Sequence, residues 1–240
     1  MKLSARDIVR AWDWGQDKHP VDRALALLAL ACPDLSYDAL ADLTVGQRNG
    51  RLLALREQAL GPQLRSLASC AACGAALEFT VPVAALSDDE PAALEHTLDH
   101  AGYRLRFRLP TSRDLAAVAG LGAADAGRAL LIARCVLAAE YGGQPLAPAS
   151  LPDALVAALA EAVEQHDPQA ETRLRLTCSA CGHRWSALFD IGTFFWTELD
   201  GIARRLMGDV ATLARAYGWG EAEILAMSAA RRQMYLEMTG

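Results

Sequence analysis

The sequence lacks the features that place a protein in a membrane or on nucleic acid. Its longest apolar run, Ala24 to Cys32, is too short to cross a bilayer, which needs about 20 residues. The first twelve residues carry charges where a secretory signal needs an apolar core. The formal net charge is −6, and no run of Lys or Arg supplies the basic surface that nucleic acid requires. These absences predict a protein that folds in the cytoplasm without a membrane or nucleic-acid partner.

Motifs of catalysis are also missing. The chain contains no GxSxG, P-loop or dinucleotide fingerprint, and its carboxylates form no recognisable acid–base pair. His96 and His100 have the spacing of helical metal ligands, but Gly102 favours a hairpin at this point. Cys32 and Cys135 each stand alone in apolar segments, which is typical of buried, unreactive thiols. The sequence therefore predicts a protein that is not an enzyme.

The composition favours helices. Of the 240 residues, 52% are hydrophobic, mostly Ala and Leu, and only 6% are aromatic. Such a chain can bury a substantial core, and its residues have high helix propensity. Caps, breakers and apolar spacing predict helices over residues 4–14, 21–32, 36–43, 44–60, 114–119, 123–140, 152–165, 193–217 and 221–237. The helix at 44–60 has a capping box, Thr44 with Gln47.

Period-two patterns predict a smaller β component. Strands are expected over residues 76–83, 172–177 and 185–190, and a hairpin over 96–109 with its turn at Ala101-Gly102. In the second arm of the hairpin, Tyr103, Leu105 and Phe107 alternate with arginines, which indicates one buried face. Residues 87–91 read as a solvated loop.

The predicted fold class is α+β, mainly α-helical. Helical N- and C-terminal segments surround a small, four-cysteine, zinc-ribbon-like β element that carries a mixed α/β insertion. The predicted parts are an N-terminal helical region (1–63), two zinc-ribbon halves (64–83 and 172–190), an inserted hairpin with helices (84–171) and C-terminal helices (191–240).

The strongest functional signal is a repeated Cys-x-x-Cys-Gly motif. Cys70 and Cys73 form the first copy, and Cys178 and Cys181 form the second. Each copy precedes a strand-like stretch, and a two-residue gap lets both sulfurs of a copy reach the same ion. The pattern predicts that all four thiolates bind one zinc ion in a closed, structural site.

Other uses of these cysteines stay open at this stage. One pair could be a redox dithiol, although no thioredoxin-like context surrounds it. Four thiolates could also hold an iron–sulfur cluster. A catalytic zinc would need an open position, and His183 could replace a cysteine ligand, but a solvated role is expected for it.

The C-terminal helix offers a possible docking surface. An apolar stripe recurs at spacings of three and four, and it packs either on the protein's own core or on another chain. The stripe comprises Phe195, Leu199, Ile202, Leu206, Val210, Leu213 and Tyr217. The arginines of 48–56 and 231–232 read as solvated helix faces.

Several segments, in their order along the chain, resemble the T4-type phage baseplate protein family. They are Pro20–Leu28, Val45–Glu57 followed by Gly61, Cys70–Gly74, Leu109–Leu115, Cys178–Gly182 and Tyr217–Leu236. Members of this family also occur in phage-tail-like contractile injection systems. The resemblance implies a non-enzymatic structural or assembly component of a contractile tail, with other baseplate or hub proteins as partners. It also implies a cytoplasmic stage during assembly and a place in the tail particle.

Two other functions compete with this interpretation. A zinc-ribbon regulator could bind nucleic acid through Arg104, Arg106 and Arg108, which share one face of a predicted strand, although the acidic total opposes this. An enzyme with an unrecognised site would show a pocket with convergent titratable groups.

Overall fold

The computed structural model describes residues 3–86 and 93–239, so the loop predicted at 87–91 lies outside the described residues. The helices are α1 Ala5–Gly15, α2 Pro20–Ala31, α3 Tyr37–Ala41, α4 Val45–Leu60, α5 Ser112–Val118, α6 Ala124–Cys135, α7 Asp153–His166, α8 Ile191–Tyr217, α9 Glu221–Ala226 and α10 Ala229–Glu237. The strands are β1 Gln63–Ser69, β2 Ala76–Pro82, β3 Glu95–His100, β4 Tyr103–Arg108, β5 Val136–Tyr141, β6 Gln144–Pro145, β7 Thr172–Thr177 and β8 Arg184–Phe189. The mixed, mainly helical composition is confirmed, with 55% helix and 21% strand.

The first four helices and the start of α8 form the helical body. Their apolar faces meet in one core, which includes Leu28, Leu52 and Phe195. Helix α1 begins at a capping box of Ser4 and Asp7, and helix α4 at the predicted box of Thr44 and Gln47. These side chains satisfy backbone amides that have no partner inside the helix, which fixes where each helix starts.

The chain between the cysteine motifs folds around a second core. Strands β3 to β6 form an antiparallel sheet in sequence order, and helix α7 packs its apolar side on this sheet. Leu105, Phe107 and Leu109 are at most 1% exposed, so the predicted alternation in β4 is confirmed. The hairpin turn also lies where it was predicted, because His100 pairs with Tyr103.

Helix α8 connects the parts of the molecule. It is 27 residues long; its first half packs in the core of the helical body. Its second half packs with α1, α9 and α10 in a third cluster, which includes Leu213 and Ile224. Phe195, Leu199, Leu206, Val210 and Leu213 are all buried. The apolar stripe therefore packs mainly on the protein's own core.

Two predicted helices were wrong in extent, and one strand was missed. The helix predicted over 123–140 ends at Cys135, and Val136–Tyr141 is strand β5, because it pairs with β4 in the insertion sheet. The helix predicted over 221–237 is broken near Met227, where Ser228 caps α10. Residues 63–69 form β1, which pairs with β2 from Gln63 to Ser69 but had not been predicted as a strand.

Of the arginines predicted to be solvated, Arg51 and Arg231 are exposed as predicted, whereas Arg48, Arg56 and Arg232 are buried. Arg56 and Arg232 are 3% and 7% exposed, and they bind Glu198 and Asp209 on α8. Arg48 is 6% exposed, and its guanidinium donates to Asn49. Burial lowers the pKa of Arg48, while the charges of Asp190 and Asp167 oppose that shift. The position of an arginine on its helix does not reveal its carboxylate partner, because Glu198 and Asp209 lie far from Arg56 and Arg232 in sequence.

The insertion joins the helical body along the start of α4, which we call the seam. The amide of Val45 donates to the carbonyl of Pro110 at 3.0 Å. The Asp167 carboxylate accepts from the amide of Gly46 at 3.0 Å, and the Asn49 side chain donates to the carbonyl of Gln169 at 2.9 Å. These polar bonds are buried, so the insertion has a defined position on the body.

Candidate metal centre

The two cysteine motifs lie on hairpins of the same construction. Strands β1 and β2 pair up to Ser69 and Ala76, and β7 and β8 pair up to Thr177 and Arg184. Each pair of strands therefore closes a six-residue loop that begins with the first cysteine of its motif. Among the described residues the two hairpins are separate two-stranded sheets, so one continuous zinc-ribbon sheet is not present.

Matching hydrogen bonds hold the two loops. The amide of Cys70 donates to the carbonyl of Ala75 at 2.9 Å, and the amide of Cys178 donates to that of His183 at 2.8 Å. The glycine after each second cysteine has a positive φ, +73° at Gly74 and +72° at Gly182. A residue with a Cβ rarely adopts this conformation, so glycine lets the chain turn back directly after the second sulfur.

The loops bring four sulfur atoms together from two distant segments. The Sγ atoms of Cys70 and Cys181 are 3.7 Å apart, and those of Cys73 and Cys178 are also 3.7 Å apart. All four Sγ atoms lie within 4.8 Å of one another. Disulfide sulfurs would be about 2.05 Å apart. Four thiolates at about 2.3 Å from a tetrahedral zinc ion would be about 3.8 Å apart, so the donor set fits that ion.

The four sulfurs differ in their exposure to solvent. Cys70 and Cys178, the first cysteines of each motif, are each 3% exposed, whereas Cys73 and Cys181 are exposed. Each close sulfur pair joins a buried cysteine of one hairpin to an exposed cysteine of the other. The centre therefore has one side in the protein and one side open to solvent.

The backbone of the second loop favours one thiolate. Amides of Cys181 and Ala180 point at the sulfur of Cys178 and lower its pKa to about 7. The amide of His183 favours the Cys181 thiolate, but hydrogen bonds with the other cysteine sulfurs, first that of Cys73, raise the pKa of Cys181 to about 12. Neighbouring thiolates repel each other, so the cluster needs a cation to be fully deprotonated.

The other candidate ligands lie elsewhere. His183 is exposed, and its ring stacks on that of Trp185 at 5.9 Å. His96 lies on β3, where its ring stacks on that of His166 at 3.8 Å. Cys135 is buried, and burial raises the pKa of its thiol to about 11, in keeping with an unreactive cysteine. Cys32, the other lone thiol, is half-buried.

The arginines of β4 are engaged by carboxylates. Arg104 binds Asp99 across the hairpin, and Arg108 binds Asp114 with both terminal nitrogens. Arg106 remains exposed on this strand. Two of the three arginines that could form a basic face for nucleic acid are therefore paired with carboxylates. Across the described ranges, none of the helices has the length and apolar character that a membrane span needs.

A groove of about 1180 Å³ lies between the hairpins and the start of α8. Its titratable lining residues are Arg65, Glu78, Asp190 and Glu198. The Glu198 carboxylate accepts two hydrogen bonds from Arg56, and Asp190 caps α8 by accepting from the amide of Gly192. Two of the four groups thus stabilise the fold around the hairpins.

Sequence reasoning missed the buried carboxylates of the insertion and the seam. Asp114 is fully buried and accepts hydrogen bonds from Arg108 and Arg134, while Asp167 is 4% exposed at the seam. Asp114 stands three residues after Thr111, and this capping-box spacing was the one available signal. No local pattern marks Asp167, because its partner Gly46 is 121 residues away.

Comparison with known proteins gives one family. The family model described as T4 bacteriophage base plate protein matches residues 8–196, which include both hairpins. No match was found among curated proteins or among solved structures.

Proposed function

Because this chain belongs to the T4 bacteriophage base plate protein family, we propose that it is a non-enzymatic structural or assembly component of the baseplate of a contractile tail. The family match carries this proposal, because it spans most of the chain. The partners are other baseplate or hub proteins. The protein is present in the cytoplasm during assembly, and as a structural component it would remain in the tail particle.

We further propose that Cys70, Cys73, Cys178 and Cys181 hold one structural zinc ion. The spacing of their sulfurs, 3.7 Å within each close pair, supports the proposal. A zinc ion would supply the positive charge that stabilises four thiolates in one place. With four cysteine ligands the site is closed, so it has no open position for a substrate.

The metal centre ties together the two elements that flank the insertion. Strand β1 follows α4 after Gly61, and β8 leads directly into α8. Arg56 of α4 reinforces this connection, since it binds the Glu198 carboxylate and donates to the carbonyls of Gly61 and Gln63 at 2.7 and 2.8 Å. We propose that four parts of the chain meet around the metal centre. They are the N-terminal helical region (1–63), the two cysteine hairpins (64–83 and 172–190), the insertion (84–171) and the C-terminal helices (191–240).

Metal analysis of the purified chain tests the centre. We expect one zinc ion per chain by elemental mass spectrometry, and loss of that zinc in Cys70→Ser and Cys178→Ser. Cys32→Ser is the matched control, because Cys32 lies in the helical body away from the hairpins. A wild-type chain that is folded and free of metal would contradict the proposal. Bound iron with the visible absorption of an iron–sulfur cluster would show that the four cysteines hold a cluster and not zinc.

Deletion of the gene tests the role in the tail. We expect particles without complete baseplates, and too few sheathed tails of full length, by electron microscopy. Supplying the wild-type gene should restore both, and the Cys32→Ser variant should do the same. Normal numbers of intact tails after deletion would contradict a baseplate role, whatever the metal content of the protein.

A further inference from the structure

Helix α6 is apolar in sequence but lies mostly at the surface. Of its twelve residues, all described, only Cys135 is buried. Leu130 and Ile132 are half-buried, and Leu121 in the turn before the helix is 42% exposed. A helix of this composition normally buries a continuous face. The isolated chain leaves part of that face uncovered.

The uncovered face of α6 lines an apolar groove of about 740 Å³. Helices α5 and α6 form one wall, helix α7 forms the other, and Val45 and Leu159 lie at the base. Residues three and four positions apart lie on the same side of a helix, so α6 and α7 each turn a row of side chains towards the groove. The apolar wall residues include Leu115, Val118, Leu121, Ala124, Leu131 and Val163.

The two walls carry opposite charges at their rims. Arg128 lies on the α6 wall, and Glu161 and Glu164 lie on the α7 wall. All three side chains are exposed, and the ion pairs of the described residues include none of them. The groove therefore has an unpaired positive rim and an unpaired negative rim on either side of an apolar floor.

We propose that this groove is the interface of a two-fold dimer of the chain. A two-fold axis parallel to the groove brings α6 of each copy over α7 of the other. Arg128 of one copy then faces Glu161 and Glu164 of the second copy, and the same contact occurs twice. The exposed Leu121 enters the apolar groove of the facing copy.

A second copy fits this surface because the patch is complementary to itself. An isologous interface needs both halves of every contact on the same surface. Here the exposed Leu121, the apolar groove that receives it and both charges occur together on one surface. The groove lies on the insertion helices, so the dimer does not depend on the metal centre or on the baseplate role.

Sedimentation equilibrium of the purified full chain over roughly a hundredfold range of concentration tests the dimer. We expect reversible association from 25.7 kDa to twice that mass. Leu121→Asp should abolish association, because it places a carboxylate in the apolar groove. Arg128→Glu should weaken it roughly tenfold, since both symmetry-related ion pairs become repulsive.

Charge exchange and matched controls make the test specific. Adding Glu161→Arg and Glu164→Arg to Arg128→Glu should restore the wild-type dissociation constant. Leu67→Asp and Arg51→Glu make the same chemical changes at exposed positions outside the groove, and they should leave association unchanged. A wild-type chain that stays monomeric, or a dimer that is insensitive to Leu121→Asp and Arg128→Glu, overturns the proposal.

Discussion

Asp114 shows how a single buried carboxylate can hold several elements. It is fully buried at the start of α5, and its two oxygens accept from Arg108 of β4, Arg134 of α6 and the amide of Thr111. A carboxylate without water is stable only when such donors surround it. Asp114 therefore links the sheet of the insertion to two of its helices.

Replacing Asp114 with Asn should reduce the free energy of unfolding by about 3 kcal/mol, because Arg108 and Arg134 lose their charged partner in a buried site. Urea denaturation at neutral pH measures the change. Asp99→Asn is the control, since it breaks an arginine pair of the same kind at the surface, where no measurable loss is expected. Equal losses in the two variants would show that burial has no role at Asp114.

The same carboxylate makes stability depend on pH. Burial alone would raise the pKa of Asp114, but the hydrogen bonds from Arg108 and Thr111 hold it well below the usual range. A carboxyl with a depressed pKa in the folded state stabilises the fold above its unfolded pKa, about 3.9, and this contribution is lost as the pH falls further.

We therefore expect the stability difference between wild type and Asp114→Asn to be full at pH 7 and to shrink below about pH 4. Urea denaturation of both proteins across this range provides the measurement. A difference that stays constant down to the lowest pH would mean that folding does not lower the pKa of Asp114.

At the scale of single residues, the metal-ligand candidates were easier to predict than the solvent exposure of the arginine side chains. The four cysteines were recognised because their motif is local and repeated. Arg48, Arg56 and Arg232 were predicted to be solvated, yet all are buried. Glu198 is 142 residues from Arg56, so no window along the sequence contains both partners.

At the scale of elements, the start of α4 depends on a glycine that lets another segment approach. A methyl group on Gly46 would lie 1.8 Å from Oδ1 of Asp167, and one on Gly50 would lie 2.5 Å from Oε1 of Gln169. These two glycines, four residues apart, face the turn that follows α7. The close contact allows the Asp167 carboxylate to reach the helix amides.

Gly46→Ala should lower the free energy of unfolding by about 1–3 kcal/mol, because the methyl group must displace Asp167 or the backbone of α4. Thermal denaturation followed by circular dichroism measures the loss. Gly208→Ala in α8 is the matched control, since nothing lies within 4 Å of its added methyl group, and it should stabilise the helix by up to about 1 kcal/mol. A stabilising Gly46→Ala would contradict the contact.

The elements that were predicted correctly carry strong local signals. Caps at Ser4 and Thr44 and the proline at the first position of α2, Pro20, marked helix starts, and alternation marked β4. The error at β5 has a physical origin, because Val136–Tyr141 continues the apolar, alanine-rich pattern of α6. Pairing with β4 decides its conformation, and such a contact between distant strands is not visible in a local pattern.

At the scale of the whole molecule, the cysteine hairpins add a connection between α4 and α8 to the contacts made by the seam and by the ion pairs of Arg113 with Asp38 and Asp42. Zinc contributes roughly 10–16 kcal/mol in small peptides, which is comparable to the stability of a whole domain. Without the proposed zinc ion, the four sulfurs would lose the cation that holds them together in the deprotonated state. The hairpins are separate two-stranded sheets, and a two-stranded sheet by itself is only marginally stable.

Chelation of the metal, or Cys178→Ser, should therefore separate the hairpins and make residues 63–82 and 172–189 sensitive to protease. Hydrogen exchange read by mass spectrometry should show lost protection in both hairpins, with the core of α1, α2 and α8 affected less. Cys32→Ser should keep the wild-type pattern. A metal-free chain with fully protected hairpins would show that the strands need no ion.

The long separation of the two hairpins has a consequence for biosynthesis. Cys73 and Cys178 are 105 residues apart, so the ribosome makes the second pair about 5–20 seconds after the first. During that interval, the first two thiols have no partners. The proposed four-thiolate centre can close only after the second hairpin has been made and has met the first. Binding of a metal ion by all four sulfurs would therefore follow synthesis of the whole insertion.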